Sequence, residues 1–263
     1  MSAIDFHTHA FPDELAGRAM PKLEASANWR AVGDGTVKGL LESMDQADVD
    51  ITIICTIATR PGQAKGILKW CRQIASDRIV PLPSVHPLDD DAPRWIERFA
   101  EAGCLGIKVH PFYQDCPADD PRMDDIYQAV KDTGLLVVSH CGNDISFPGK
   151  EPIASPRRFA NVINRWEGLR LVCTHMGGWR AWDEVEQHLI GKPVFLDTSF
   201  SLGELGPERS ADMIRRHGVD HVLFASDWPW ASQSSEIANI KSLPLSDAQK
   251  KQVLWSNASR LLL

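Results

Sequence analysis

Residues 135–142 of the chain are LLVVSHCG, an apolar run that ends in Ser, His and Cys. Such a run, rich in Leu and Val and without alternation, is typical of a β-strand that is buried on both faces. Seven further stretches have the same character, namely AIDFHTH (3–9), ITIICTI (51–57), IVPLPSVHP (79–87), LGIKVHP (105–111), LRLVCTHMGG (169–178), PVFLDTSF (193–200) and HVLFASDWP (221–229). The chain is therefore predicted to contain eight buried strands.

Amphipathic stretches separate these runs. Residues 37–49 place Val37, Leu40, Leu41 and Met44 at helical spacing. Similar patterns occupy residues 63–76, 92–103, 123–134, 155–168, 181–191 and 208–218. Eight strands alternating with helices predict an α/β fold, a (β/α)8 TIM barrel. An open doubly wound sheet has the same local pattern, but neither G-x-G-x-x-G after the first strand nor G-x-x-x-x-G-K-[ST] occurs, which weakens its nucleotide-binding version.

A single domain over residues 1–263 is expected, because the chain has no repeat, linker or low-complexity segment. Residues 11–35 and 228–246 look irregular and are expected to form two long connections over the mouth of the barrel. Residues 245–263 are expected to form closing helices, with Ser246 as an N-cap.

Composition limits the possible functions. The net charge is -7 and no basic run stands out, so nucleic-acid and membrane partners are not expected. No apolar run is long enough to cross a bilayer and the first residues do not resemble a signal peptide, so a cytoplasmic location is expected. The six cysteines form no C-x-x-C pair, and buried reduced thiols are favoured over disulfides.

Polar side chains stand where the apolar runs stop. In a barrel the carboxyl ends of all strands meet around one mouth, so these groups are predicted to converge. Imidazole and carboxylate are good ligands for zinc and related divalent metals. Taken one at a time, each of these residues has an ordinary alternative role, such as a loop hydrogen bond, a helix cap or, for the lysine, a side chain that extends into solvent. The same pattern recurs at five strand ends, however, and this favours a shared site. The residues are His7, His9, Lys108, His110, His140, His175 and Asp227.

The ordered set resembles the amidohydrolase superfamily. The phrases FHTHAFP, GIKVHP, SHCG, CTHMGG, LDTS and ASDWP are similar to those of its amidohydrolase-related TIM-barrel branch, which includes aminocarboxymuconate-semialdehyde decarboxylase. The resemblance runs from Asp5 to the closing NASRLLL. It implies that His7, His9, His140 and Asp227 bind one metal. It also implies that Asp227 moves the proton of an activated water, and that His175 orients or deprotonates that water.

The number and identity of the metal ions stay open at this point. Binuclear members of the superfamily often carry a carboxylated lysine after strand four, and Lys108 could be that residue, with a second metal on His140 and His175. In the favoured branch Lys108 would contact substrate or a loop carboxylate, and His110 would line the mouth. One metal is favoured, zinc first, with manganese, cobalt or iron also compatible with a His/Asp site.

Two reactions use the same residues. The leading expectation is a metal-dependent hydrolase that acts on an ester, lactone or amide of a small carboxylated molecule. The alternative is a metal-dependent decarboxylase, which would need a cation to anchor the substrate carboxylate. The candidates for this anchor are Lys108, Arg157, Arg158 and Arg180. A barrel that only binds a metal or ligand is a third hypothesis, and a homodimer is expected from the family.

Overall fold

The computed structural model describes residues 2–262. The eight predicted strands are all present, and all except β2 are shorter than their apolar runs. They are β1 Ala3–Thr8, β2 Val49–Cys55, β3 Ile79–Leu82, β4 Gly106–Val109, β5 Leu136–Ser139, β6 Arg170–Cys173, β7 Phe195–Asp197 and β8 Val222–Leu223. Every pair of neighbours is parallel, in the orders β1-β2-β3 and β4-β5-β6-β7-β8.

Backbone hydrogen bonds close these two sheets into one barrel. The Lys108 N–H donates to the Pro83 carbonyl at 2.9 Å, which joins β4 to the end of β3. The Phe6 N–H donates to the Phe224 carbonyl at 2.9 Å, which joins β1 to the end of β8. The predicted (β/α)8 TIM barrel is confirmed.

Helices surround the strands. They are α1 Asp13–Ala27, α2 Val37–Ala47, α3 Ala64–Ile74, α4 Ala92–Glu101, α5 Pro111–Gln114, α6 Asp124–Thr133, α7 Pro156–Arg165, α8 Trp182–His188, α9 Leu202–Leu205, α10 Pro207–His217, α11 Gln233–Ser242, α12 Asp247–Lys251 and α13 Asn257–Leu262. Short 3-10 turns lie at Pro121–Met123 and Val219–His221, and a π-helical turn lies at Gln252–Ser256. None of the helices in the described part of the chain has both the length and the apolarity needed to cross a membrane.

Two apolar layers support the barrel. A small cluster that includes Phe6, Ile53, Leu136 and Val138 fills the inside, and Ala258 of α13 packs against it. A much larger cluster lies between the outer strand faces and the surrounding helices. As predicted, Ser246 caps α12, where its hydroxyl accepts the Gln249 N–H at 3.3 Å. The six cysteines are free.

Two segments expected to be irregular each contain a helix. Helix α1 lies within residues 11–35, and α11 lies within residues 228–246. Neither helix has a clear apolar stripe, because α1 buries only Ala16, Met20 and Ala27, and α11 buries the polar residues Gln233 and Glu236 beside two isoleucines. Hydrophobic periodicity therefore gave no helical signal there.

Candidate metal centre and active site

The ends of β1 and β8 bring three metal-ligand side chains together. The Nε2 atoms of His7 and His9 are 3.1 Å apart. Asp227 Oδ1 lies 3.3 Å from His9 Nε2 and 3.6 Å from His7 Nε2. Two ligands of one tetrahedral zinc ion are about 3.3 Å apart, so these separations fit three donors around a single divalent ion.

The tautomers of both histidines suit this use. His9 donates from Nδ1 to the Cys55 carbonyl at 2.8 Å, and His7 donates from Nδ1 to Asp197 Oδ2 at 3.1 Å. Each Nε2 therefore carries a lone pair toward the centre of the group. Burial, and next the charge of Lys108, hold the pKa of His7 well below its usual range, so that ring is neutral. Two facing nitrogen lone pairs favour a cation beside them; here the Lys108 ammonium lies 2.9 Å from His7 Nε2, and a bound metal would supply the same positive charge.

Asp5 does not join this group, although it stands two residues before His7. Strand β1 has a register shift between Asp5 and Thr8 relative to β2. Oδ2 of Asp5 accepts hydrogen bonds from Ser226 Oγ at 2.5 Å and from Gln233 Nε2 at 2.8 Å. Asp5 therefore ties the end of β1 to the segment that follows β8, and burial raises its pKa to about 6.

Asp227 stands on a strained backbone. Its φ angle is 67°, in the left-handed region that few residues other than glycine adopt. Its N–H donates to the His7 carbonyl at 2.8 Å, which holds the carboxylate over the metal group. Burial alone would raise the pKa of Asp227, but the neighbouring imidazoles of His7, His9 and His175, with a hydrogen bond to His9, outweigh burial and lower it. The carboxylate is therefore ionised and free to bind a metal or to take a proton.

His140 and His175 form the next part of the site. Nε2 of His140 donates to the Asn143 carbonyl at 2.9 Å, so its lone pair is on Nδ1, which faces His175 Nε2 at 3.1 Å. His175 donates from Nδ1 to the Ser199 carbonyl at 3.1 Å, so its lone pair is on Nε2 and faces His140 Nδ1. Burial lowers the pKa of each ring to about 4. Both imidazoles are therefore neutral bases at neutral pH.

His140 lies outside the three-atom group of His7, His9 and Asp227. The rings form a row instead, with the His175 centroid 5.5 Å from that of His7 and 4.8 Å from that of His140. As a fourth metal ligand His140 stays a prediction, and the lone pair on its Nδ1 is compatible with that role.

Lys108 is fully buried beside the metal group, with its Nζ 2.9 Å from His7 Nε2. Two of the other three candidate cations have carboxylate partners, and the third, Arg157, is exposed at the start of α7. Arg180 makes two hydrogen bonds to Glu204, at 2.8 and 2.9 Å, and Arg158 binds Asp119 at 2.6 Å. Arg180, expected as a substrate contact, thus lies in an exposed ion pair, whereas Lys108 faces the metal group.

Two carboxylates of the site were missed by the sequence analysis. Asp197, at the end of β7, binds His7 and also accepts the His175 N–H at 2.9 Å on its other oxygen. Its position directly after an apolar run is a sequence signal by which Asp197 could have been predicted as a site residue. Asp144 lies 3.3 Å from His110 Nε2 and 3.9 Å from His140 Nε2, in a second group of ligand-type side chains. It stands in a loop, where no periodicity marks it.

Aromatic side chains from the segments that follow β1, β6, β7 and β8 pack together. Trp29 donates from its indole N–H to the Trp230 carbonyl at 3.2 Å, and its ring meets Phe200 edge-on at 5.2 Å. Phe200 also contacts Trp179, with ring centroids 6.2 Å apart. Flat apolar walls of this kind suit a small planar substrate.

Comparison with known proteins gives one family match and one curated relative. A family model described as Amidohydrolase matches residues 4–263. A gamma-resorcylate decarboxylase from Polaromonas sp. (strain JS666) is 25% identical over 119 residues, which cover 39% of this chain. The matched segment spans only 36% of the length of that relative.

Solved structures match along the whole chain. An uncharacterised TIM-barrel protein from Bordetella bronchiseptica has a TM-score of 0.78 at 16% identity, covering 100% of this chain and 98% of its own. A 5-carboxyvanillate decarboxylase from Novosphingobium aromaticivorans, complexed with manganese and 4-hydroxy-3-methoxy-5-nitrobenzoic acid, has a TM-score of 0.73 at 15% identity, covering 99% and 95%. These likenesses are evidence of a shared fold.

Proposed function

The chain belongs to the amidohydrolase family, and from this premise we propose that it is a metal-dependent decarboxylase of a small, hydroxylated carboxylic acid. The observation that carries the proposal is the buried lysine Lys108 beside the group of His7, His9 and Asp227. Such a site pairs a place for a divalent metal with a cation for a substrate carboxylate. The sequence alone favours hydrolysis, with decarboxylation as the alternative. The comparisons support decarboxylation better than hydrolysis.

His7, His9 and Asp227 would hold the metal, with His140 as a further ligand through Nδ1. The facing lone pairs and the donor separations fit such an ion. When bound, the metal supplies positive charge that polarises substrate oxygens. A His/Asp site accepts both zinc and manganese, and manganese is bound by the related decarboxylase from Novosphingobium. We propose one ion per chain.

Lys108 would anchor the carboxylate that leaves. Its ammonium donates to His7 Nε2 in this structure, and a metal on that nitrogen would remove the acceptor. A buried ammonium without an acceptor is costly, so a substrate carboxylate is a favourable replacement. Carboxylation of Lys108, with a second metal, is the competing arrangement.

Asp227 and His175 would handle the proton. In decarboxylation the bond between the carboxyl carbon and its neighbour breaks, its electron pair stays on the neighbouring carbon, and that carbon takes a proton as carbon dioxide leaves. Asp227 faces the two β1 histidines and is placed to deliver this proton, which it first takes up as a carboxylate. His175, a neutral base held by Ser199, would orient the proton-carrying group.

The test is an assay of purified protein loaded with either manganese or zinc. Gamma-resorcylate and 5-carboxyvanillate serve as substrates, and released carbon dioxide is measured together with the decarboxylated product. A panel of lactones and esters tests hydrolysis under the same conditions. Release of carbon dioxide, lost when both His7 and His9 are replaced by Ala, supports the proposal. Turnover of lactones without any decarboxylation would establish the hydrolase instead.

Metal counting settles the arrangement of the centre. Elemental analysis of protein purified without a histidine tag should give about one divalent ion per chain, and the intact mass should be unmodified. Two ions per chain, with about 44 Da of labile added mass, would assign Lys108 as a carboxylated bridging ligand. A cytoplasmic location and a homodimer are further predictions for this chain.

A further inference from the structure

His110 is a buried histidine with one ring nitrogen left without a partner. It directly follows β4, and its N–H donates to Gln114 Oε1 at 2.9 Å, which fixes the backbone. Within residues 2–262, Nδ1 of His110 has no hydrogen-bond partner. A buried polar atom without a partner is costly and calls for an explanation, such as a ligand that completes it.

Two neighbouring aromatic rings restrict the orientation of the His110 ring. The ring stacks on His140, with centroids 4.2 Å apart and planes at 14°. Tyr113 meets it edge-on at 4.7 Å. Packed between these two rings, the His110 ring has little freedom to turn, so the unpartnered Nδ1 keeps its direction.

Asp144 sets which nitrogen carries the proton. Its side chain is 8% exposed, and its Oδ2 lies 3.3 Å from His110 Nε2, while its other oxygen accepts the Ser146 N–H at 2.7 Å. A carboxylate accepts, so this contact favours the tautomer with the proton on Nε2 and a lone pair on Nδ1. His110 therefore presents a neutral acceptor.

This acceptor stands close to the metal group. The row of rings continues from His110 through His140 and His175 to His7, with successive centroids 4.2, 4.8 and 5.5 Å apart. Burial first, and then the neighbouring His140 ring and the charge of Lys108, hold the pKa of His110 well below its usual range. His110 thus lies on the same row of rings as the metal group, and a small molecule that spans this row would present a second substituent to His110.

We propose that His110, oriented by Asp144, binds the substrate by accepting a hydrogen bond from a hydroxyl group at Nδ1. The inference deepens the proposed function and rests on it for the carboxylate end of the ligand. A neutral acceptor binds an O–H donor. It makes no hydrogen bond with a second carboxylate or with a methoxy group, because neither has a hydrogen to donate. The site thereby selects hydroxylated acids over their O-methylated or unsubstituted counterparts.

A second metal on His110, His140 and Asp144 is the other use of this group, and the contacts favour it less. Nε2 of His140 already donates to the Asn143 carbonyl and is 3.9 Å from Asp144, longer than the spacing of two ligands in a tetrahedral site. A metal there would also leave Nδ1 of His110 unpartnered.

The first test uses two probes without a carboxylate, so it does not depend on decarboxylation. Phenol has a hydroxyl donor, and anisole has the same ring without one. Long-range ¹H–¹⁵N spectra of the holoenzyme report the His110 nitrogens. Phenol should move the His110 Nδ1 resonance and anisole should not. If both probes, or neither, move it at tens of millimolar, the proposed acceptor role is wrong, whatever reaction the enzyme catalyses.

The second test is the affinity ratio of the two probes. One neutral hydrogen bond predicts about a fivefold to tenfold preference for phenol. H110F keeps a stacked ring but removes the acceptor, so its ratio should fall to about one. H188F, a change of the same kind on α8, should keep the wild-type ratio. A preference for phenol that persists in H110F would overturn the assignment. If H110F does not fold, the ¹H–¹⁵N spectra of the wild-type protein with phenol and anisole test the assignment instead.

Discussion

Asp197 Oδ2 lies 3.1 Å from His7 Nδ1, so a carboxylate at the end of β7 orients a metal-ligand ring at the end of β1. The other oxygen, Oδ1, accepts hydrogen bonds from the N–H of His175 and the hydroxyl of Ser199. One carboxylate thus sets the tautomer of a proposed ligand and the position of a proposed catalytic base. Partners of this kind contribute to metal affinity although they never touch the ion.

The substitution D197N should weaken metal binding about tenfold to a hundredfold. The Asn amide nitrogen would face His7 Nδ1 and donate to it, so the ring proton would move to Nε2 and block the lone pair that a metal needs. Competition with a chromogenic chelator measures the change. D125N, at an exposed position on α6, is the matched control and should bind metal like the wild type. An unchanged affinity in D197N would show that Asp197 does not set the tautomer.

The substitution D227N should separate metal binding from turnover. The amide keeps a carbonyl oxygen where Asp227 Oδ1 faces both β1 histidines, so much of the metal should be retained. An amide cannot carry the proton, and turnover should fall by at least a factor of about 100, a typical cost of losing a general acid or base. Metal analysis and a carbon dioxide assay on the same sample check both statements. Full activity with full metal content would remove Asp227 from the mechanism.

The substitution H175A tests the number of metal ions. In a centre with one metal, His175 acts through its contacts with His140 and Ser199 without binding the ion, so metal content should stay near one per chain while turnover is lost. In a centre with two metals, His175 would be a ligand, and the content should fall from two toward one. Elemental analysis distinguishes the two results without any substrate.

The substitution K108M should affect metal and substrate in opposite directions. Removing the charge that repels a cation at His7 should tighten metal binding, by about tenfold for one pKa unit of lost repulsion. Loss of the proposed carboxylate anchor should raise KM by a similar or larger factor. Metal titration and steady-state kinetics measure the two effects separately. A variant with weaker metal binding would instead favour a bridging, carboxylated Lys108.

The barrel was predictable because its evidence is local and repeated. Each buried strand is an apolar run such as residues 135–142, and eight of them alternate with helical patterns. The strand-end residues His7, His9 and Asp227 were predicted to converge because parallel strands in a barrel share one mouth. Their separations of 3.1 to 3.6 Å are compatible with that prediction.

Other parts of the site depend on geometry that no spacing reveals. The register shift in β1 separates Asp5 from the histidines that follow it, and strict alternation would not predict this. Asp144 reaches His110 from a loop, and the helix α11 carries polar residues on its buried face. Such features depend on the folded neighbours of each residue, and a single sequence does not contain them.

Glu236 on α11 predicts a pH dependence of stability. Its Oε2 is buried without a partner among the described residues, and burial raises its pKa from 4.5 to about 7. Between these two pH values the folded protein holds a proton that the unfolded chain releases. The contribution of Glu236 to the free energy of unfolding is therefore greatest below about pH 4.5, falls as the pH rises toward 7, and is constant above that.

The substitution E236Q should remove this slope, because a Gln side chain does not titrate. Between pH 5 and pH 8 the wild type should lose up to about 3 kcal/mol more of its unfolding free energy than E236Q does. Urea unfolding at both pH values gives the comparison, and E208Q, at an exposed position on α10, should behave like the wild type. Equal pH slopes in the wild type and E236Q would mean that Glu236 is ionised in the folded protein at pH 5. Its buried oxygen would then require a bound cation or a donor, which a structure of the protein at that pH would reveal.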